Sequence, residues 1–326
     1  MTDPQRLTDD TERLQIIRRL LDPAPSVSPA YFYDLTGSRL FEVISVLDEY
    51  YPTVTEHAIL RRHAPEIAAA AVAAGGIDVL VEPGAGSCEK VRHLLPLLRP
   101  RHYAALDVSS AFLEAALQPL RREFPEIVMA GIAADIAQPL PALPAGRRLW
   151  FYPGSSIGNF TPDEARLLLS RWRAHATDGH DSALLIGIDL VKDAAVLDAA
   201  YDDALGVTAA FNLNLLRHLN RLIGSDFSPR QWEHVACFNA EASRIEMHLR
   251  ARESLAVRWQ SPAGSSLPDS RRFEAGEMIH TENSYKYTFE GAAALLTSAG
   301  FGEVRHWTDE RGWFGVFLAT GRGATG

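Results

Sequence analysis

The chain is poor in sulfur and has no unbroken hydrophobic stretch. Only two cysteines, Cys88 and Cys237, stand among its 326 residues. That is too few for a disulfide framework, and a cytoplasmic protein with reduced thiols is the expectation. No run approaches the roughly 18–20 apolar residues of a membrane span. The first ten residues are polar and acidic where a signal peptide would carry an apolar core, so no membrane partner is expected. Lysine and arginine never run beyond two in a row, and 41 acidic against 32 basic residues leave a net charge of −9. A nucleic-acid partner needs a clustered basic face to displace counterions, and none is expected. The histidines are scattered, with no ligand-like i,i+4 pair involving His57 or His63, so no metal is expected either. Internal repeats are absent, and the chain is read as a monomer.

What the sequence does contain is ample apolar material, 47% against 22% charged residues, and length for roughly two domains. A helix is predicted over 12–21, followed by a segment broken by Pro23, Pro25 and Pro29, the aromatic run Tyr31-Phe32-Tyr33 and a helix near 38–47. A turn at Tyr51-Pro52-Thr53 precedes the next helix, with Thr53 or Thr55 as its cap. From Ile77 the pattern alternates. Apolar strand-like runs at 77–81, 103–106, 127–133, 149–152 and 183–188 are separated by helical stretches at 90–98, 110–124 and 161–176. Such alternation means βαβ units and a parallel sheet. A helix over 289–299 then leads to a hairpin of strands 303–308 and 314–319. Between Asp193 and Lys286 the alternation is lost: helices at 194–205 and 207–222, strands at 243–251 and 253–258, and a loop-like stretch at 261–272. The expected fold is therefore α/β, a Rossmann-like doubly wound sheet with a terminal β-hairpin, plus a smaller inserted α+β substrate-binding domain. The first domain takes 57–195 and 287–326, and the second 1–56 and 196–286.

The first strand ends in Pro83-Gly84-Ala85-Gly86, and a helix follows. Glycines there allow a sharp turn and close approach of a ligand to the backbone, while the helix start offers free N–H groups. Asp107 closes the second strand, where a carboxylate can accept both hydroxyls of a ribose. Asp135 closes the third, in reach of an adenine amino group. The dinucleotide pattern needs a third small residue where Glu89 stands. Its absence favours an adenosyl cofactor without a pyrophosphate, since Glu89 would repel a diphosphate and tolerate a sulfonium.

With these residues in place, the chain resembles the histidine Nα-methyltransferases of ergothioneine biosynthesis, class I methyltransferases that use S-adenosyl-L-methionine. Matching blocks run from about Tyr31 to Ala319. They include Glu49-Tyr50-Tyr51-Pro52-Thr53, Gly154-Ser155-Ser156-Ile157-Gly158-Asn159, Asp189-Leu190-Val191-Lys192-Asp193, Arg244-Ile245-Glu246-Met247 and Thr281-Glu282. The resemblance implies cofactor contacts at Gly84, Lys90, Asp107, Asp135 and Ile136. It implies substrate contacts at Tyr50, Asn159, Tyr201, Glu282 and Ser284, with Met247 near the ring. Two departures stand out: Val54 replaces the family's arginine, and Pro83 stands where a less rigid residue is common.

The residue types suit L-histidine as substrate. Asn159 and Tyr201 can hydrogen-bond an α-carboxylate without the cost of burying an arginine. Glu282 and Ser284 alternate with Asn283, so on a strand they face the same way. Two acceptor-capable groups suit an imidazole presenting N–H donors, and Glu282 would favour the protonated ring. Tyr50, or a water, is the candidate proton relay, and Tyr33 and Tyr50 are aromatic neighbours for a trimethylated cation, hercynine. Other readings weighed are methylation of another amino acid or small amine, an NAD-dependent oxidoreductase, and a non-catalytic adenosyl-binding protein.

Overall fold

In a computed structural model the described residues are 10–175 and 182–321. The polar stretch 1–9 and the last residue of the helix expected over 161–176 lie outside them. In chain order the elements are α1 (Asp10–Leu21), α2 (Leu35–Ile44), α3 (Tyr51–Ala73), β1 (Val79–Pro83), α4 (Leu95–Leu98) and β2 (His102–Asp107). Next come α5 (Ser110–Glu123), β3 (Val128–Ala133), β4 (Arg148–Tyr152), α6 (Pro162–Ala174) and β5 (Ala183–Asp189). There follow α7 (Ala194–Tyr201), α8 (Val207–Ile223), β6 (Trp232–Asn239), β7 (Arg244–Ala251), β8 (Leu255–Arg258), β9 (Ser270–Phe273) and β10 (Met278–Tyr285). The chain closes with α9 (Phe289–Ser298), β11 (Val304–Thr308) and β12 (Phe314–Ala319). These elements form two compact units. The larger is Tyr51–Asp193, Glu241–Arg244 and Ser284–Gly326, and the smaller is Met1–Tyr50, Ala194–Ala240 and Ile245–Asn283. No helix among the described residues is long and apolar enough to cross a membrane.

The larger unit is built on a seven-stranded sheet of order β11-β12-β5-β4-β1-β2-β3. β1, β2, β3, β4 and β5 pair in parallel, while β12 runs antiparallel to both β5 and β11. Alternation along each strand feeds two cores. Leu80, Leu149, Phe151 and Leu185 join Ile59, Leu60 and Ile67 of α3 and Leu113 and Leu117 of α5 on one face. Val79, Val81, Trp150, Leu184, Ile186 and Ile188 meet Leu168, Leu169 and Trp172 of α6 and Leu295 and Leu296 of α9 on the other. Each fully buried aliphatic side chain is worth roughly 1.5–3 kcal/mol, so a sheet apolar on both sides must be covered twice. The expected helix over 90–98 is instead a 3-10 turn, Lys90–His93, followed by the short α4, whose second residue is Pro96. Proline disfavours helical geometry in the residue before it and lacks the N–H that would continue the ladder.

The smaller unit is organised around α8. Its buried stripe of Phe211, Leu215, Leu216, Leu219 and Ile223 follows the helical repeat, and Phe211 stacks on Phe32 at 4.6 Å. Asp203 caps it, its two carboxylate oxygens accepting the N–H groups of Val207 at 2.9 Å and Thr208 at 2.7 Å. Asp34 caps α2 at Gly37 and also accepts from Asn214 of α8 at 2.8 Å. A three-stranded sheet of order β10-β7-β6 and a hairpin of β8 and β9 complete the unit. β9 falls in the stretch expected to be loop-like.

Candidate functional site

In the larger unit the C-terminal ends of the parallel strands converge on the turn after β1. Gly84 and Gly86 adopt φ of +66° and +52°, and a Cβ built at either would meet nothing within 4 Å. The turn is therefore open on that side, and only glycine takes this backbone without strain. Asp107 holds it: one carboxylate oxygen accepts the Gly86 N–H at 3.0 Å and the other the Ser109 N–H at 3.0 Å. Asp135 is exposed, with one oxygen accepting the Ala137 N–H at 2.9 Å, and Ile136 is half-buried against the second core. Beneath the turn, Glu82 is 1% exposed and accepts a hydrogen bond from the Tyr103 hydroxyl. Burial pushes its pKa up to about 8, against the Tyr103 hydrogen bond and the nearby Lys90 charge.

Lys90 forms an ion pair with the buried Glu56, whose carboxylate also accepts the Gly154 N–H at 2.9 and 3.1 Å. A Cβ on Gly187 would fall 1.9 Å from Glu56 Oε1, so β5 needs glycine where this carboxylate rests. Close by, His57 Nδ1 and His93 Nε2 lie 3.1 Å apart. Burial first, then Lys90, lowers His57 to about 4, leaving it neutral. The 154–159 segment turns through Gly154 and Ser155 in left-handed backbone into the 3-10 turn Ser156–Asn159. A Cβ on Gly158 would sit 2.8 Å from the Tyr285 carbonyl oxygen and 3.4 Å from Ser284 Oγ. Absence of a side chain there lets the residue before Asn159 lie against the end of β10 at Ser284.

A second buried cluster lies at the end of β5, and of the expected site residues Ser284 touches it. Asp189, fully buried, accepts from the Tyr51 hydroxyl at 2.7 and 2.9 Å, from Lys192 Nζ at 2.6 Å and from Lys286 Nζ at 2.9 Å. Burial alone would raise its pKa, but Lys286 and Lys192 outweigh that and hold it below the ordinary value. Lys192 is itself lowered to about 8, by burial first, with Asp189 opposing. Lys286 Nζ also donates to Ser284 Oγ at 2.8 Å. The sequence signal was present: an aspartate closing an otherwise apolar strand, with lysines at 192 and 286 beside matched blocks.

In the smaller unit Tyr50 and Tyr201 are both buried, their rings edge to face at 6.1 Å. The Tyr201 carbonyl accepts from His234 Nε2 at 2.9 Å, while Asn212 Nδ2 donates to His234 Nδ1 at 2.8 Å. Burial lowers the His234 pKa, in keeping with this neutral ring. Met247 on β7 and Glu282 on β10 are buried on adjacent strands, with the Thr281 hydroxyl donating to the Met247 carbonyl at 3.0 Å. The expected residues thus divide. Gly84, Lys90, Asp107, Asp135, Ile136, Asn159 and Ser284 belong to the larger unit, and Tyr50, Tyr201, Met247 and Glu282 to the smaller. No cluster of three or more potential metal ligands occurs among the described residues.

A parallel sheet ending in an antiparallel hairpin, with an open glycine turn after β1 and an acid after β2, defines a class I S-adenosylmethionine-dependent methyltransferase. The family model described as histidine-specific, SAM-dependent methyltransferase matches residues 12–321, and the chain belongs to that family. It is 43% identical to a histidine N-alpha-methyltransferase of Mycolicibacterium smegmatis, over 93% of each chain. It is 41% identical to one of Mycobacterium tuberculosis, over 90% of each. An ergothioneine biosynthesis protein 1 of Schizosaccharomyces pombe is 27% identical over 91% of this chain and 38% of its own length. The donor set fits the family's cofactor. Carboxylates are available for ribose hydroxyls and an adenine amine, an ammonium for the methionine carboxylate, and an open turn for the backbone approach.

Proposed function

We propose that this enzyme methylates the α-amino nitrogen of L-histidine, and does so successively to the trimethylated betaine hercynine, as a soluble cytoplasmic monomer. The observation that carries the reading is the pair Glu282 and Ser284, both buried and two residues apart on β10. An alternating strand presents such residues to one side, and together they offer an imidazole two hydrogen-bonding partners. The named activities of the mycobacterial relatives support the same choice.

The cofactor would be held by Gly84, Lys90, Asp107, Asp135 and Ile136, and when bound supplies an electrophilic methyl group on a sulfonium. Asn159 and Tyr201 hydrogen-bond the substrate carboxylate, while Glu282, Ser284 and Met247 receive the ring. The amine must be unprotonated to react. A peptide α-amino group has a pKa of about 8, and the carboxylate of a free amino acid raises it further, so only a small fraction is neutral near pH 7. Orientation can contribute about 7–11 kcal/mol when reacting atoms are held roughly 3–3.5 Å apart. Positioning therefore dominates, and Tyr50 relays the released proton. Its ring, packed on Tyr201 and Phe41, is also an aromatic face for the cationic product.

Mass spectrometry of L-histidine incubated with the enzyme and S-adenosylmethionine should show one, two and then three added methyl groups. Glu282→Ala should weaken histidine at least tenfold and leave phenylalanine little changed. Methylation of another amine with histidine untouched would overturn the reading.

A further inference from the structure

Lys90 stands at the head of the 3-10 turn Lys90–His93, its side chain 16% exposed. A lysine head is a point charge on a long flexible stem, and fixing it costs rotamer freedom. Two consecutive residues of α3 hold this turn at its two ends. His57 meets the far end, its Nδ1 3.1 Å from His93 Nε2. Glu56, 1% exposed, meets the near end by pairing its carboxylate with the Lys90 ammonium. That carboxylate is itself confined from two further sides. It accepts the Gly154 N–H at 2.9 and 3.1 Å, and β5 carries glycine at position 187, where any Cβ would run into Oε1. All of these groups belong to the larger unit.

An ammonium has three donors and no acceptor. Among the described residues Glu56 takes one of the three from Lys90, which leaves two N–H groups for an incoming anion. A Cβ on Gly154 would lie 3.4 Å from Lys90 Nζ, so the ammonium rests against the turn after β4. β4 runs parallel to β1 and beside it, so that turn opens at the same edge of the sheet as the glycine turn after β1.

We propose that Glu56 is a positioning residue that fixes the Lys90 ammonium, before any ligand arrives, where its two remaining donors meet the carboxylate of the cofactor's methionine moiety. This rests on the reading that Lys90 receives that carboxylate. Two effects of Glu56 have opposite signs. It holds the ammonium in place, and its own negative charge repels an incoming carboxylate. Glu56 is tied to the turn after β4 and hemmed in by β5 as well as paired with Lys90, so it cannot follow the lysine, and the lysine must follow it. A group fixed during folding is not charged again for its immobilisation when the ligand binds, and positioning therefore sets the sign.

The test measures binding to the full-length enzyme by calorimetry at neutral pH. The ligands are S-adenosylhomocysteine and its decarboxylated analogue, which keeps the adenosine, the thioether and the amine. Glu56→Gln should weaken S-adenosylhomocysteine about tenfold and the analogue less than threefold. Gly187→Ala displaces the Glu56 carboxylate without removing its charge. It should give the same selective loss, and it carries the test if the glutamine variant does not fold. Lys90→Met should also lose S-adenosylhomocysteine selectively, and adding Glu56→Gln to it should bring no further selective loss.

A folded Glu56→Gln enzyme that binds S-adenosylhomocysteine as tightly as the parent, or more tightly, overturns the proposal. So does an equal loss for both ligands, which would mark Glu56 as structural support alone. A selective loss that persists when Lys90 is already replaced does the same, because Glu56 would then act on the carboxylate by another route. If Lys90→Met binds both ligands as the parent does, the assignment of Lys90 to the cofactor is what fails.

Discussion

Two carboxylates, Glu82 near the end of β1 and Asp189 at the end of β5, are buried to the same degree in the same sheet. They are nonetheless pushed in opposite directions, Glu82 toward its neutral form and Asp189 toward its ionised form. Glu82 has a phenol for a partner, and burial raises its pKa to about 8. Asp189 has a phenol and two ammonium groups, and although burial pushes upward, Lys286 and Lys192 hold it below the ordinary aspartate value. Burial sets the scale of the electrostatic stakes, and the neighbours decide the sign. One strand end is therefore a neutral, hydrogen-bonded support beneath a glycine turn. The other is an ionised anchor from which two lysines are held in place.

The sharpest way to break this contrast is to neutralise each acid in turn. Asp189→Asn leaves two buried ammonium groups without their shared counter-charge. Removing one partner of a buried ion pair costs about 3–5 kcal/mol, and urea unfolding at pH 7 should show a loss of that size. Glu82→Gln replaces an acid that is already protonated when folded, and should be as stable as the parent or more so. Equal losses for both variants would mean that burial, and not the neighbouring lysines, governs this edge of the sheet.

The next effect is of similar size at most and depends on pH. With its folded pKa raised from 4.5 to about 8, Glu82 must take up a proton on folding between those values. Its contribution is fully present below about pH 4.5 and is lost as pH rises toward 8, at a slope of up to about 1.4 kcal/mol per pH unit. Asp189 has the opposite sign, its contribution being present above the unfolded value and lost only as pH falls through its depressed folded value. Comparing the urea stability of parent and Glu82→Gln from pH 5 to 8 isolates the first slope, since the glutamine cannot titrate. A parallel pair of curves would refute the raised pKa.

The two acids also differ in how far they could be read in advance. The βαβ alternation, the turn at Gly84 and Gly86, the acid at Asp107 and the closing hairpin are local patterns, and all were legible in the sequence. The Asp189 cluster joins Tyr51, Asp189, Lys192, Ser284 and Lys286; an aspartate closing an apolar strand was a local signal, but only the folded sheet brings its partners together. Other misses have local causes. Asp34 caps α2 and starts it at Leu35, ahead of the start expected near 38. Pro96 divides the helix expected over 90–98. β9 is short, and most of its residues (Ser-Arg-Arg) are polar, so only its pairing with β8 makes it a strand. Among the expected site residues, Asp107 could be placed by pattern alone. Ser284 could be placed, but not the Lys286 ammonium that donates to it, because that contact depends on a side chain folding back toward it.

The smallest effect uses a reporter beside Glu82. Cys88 is 1% exposed, and burial first, then the neighbouring Glu82 carboxylate, pushes its thiol pKa up. Only the thiolate attacks, so Cys88 should be nearly inert in the native enzyme, while the exposed Cys237 reacts. A disulfide reagent should titrate one thiol quickly in native protein, two in denaturant, and no fast thiol in native Cys237→Ala. In the Cys237→Ala background, Glu82→Gln should then quicken the slow Cys88 reaction modestly above pH 8, where the parent glutamate becomes charged, and leave it unchanged below pH 7, where both are neutral. An acceleration that is the same at every pH would trace to loosened packing instead of to charge, and would place Glu82 outside the electrostatics of the turn.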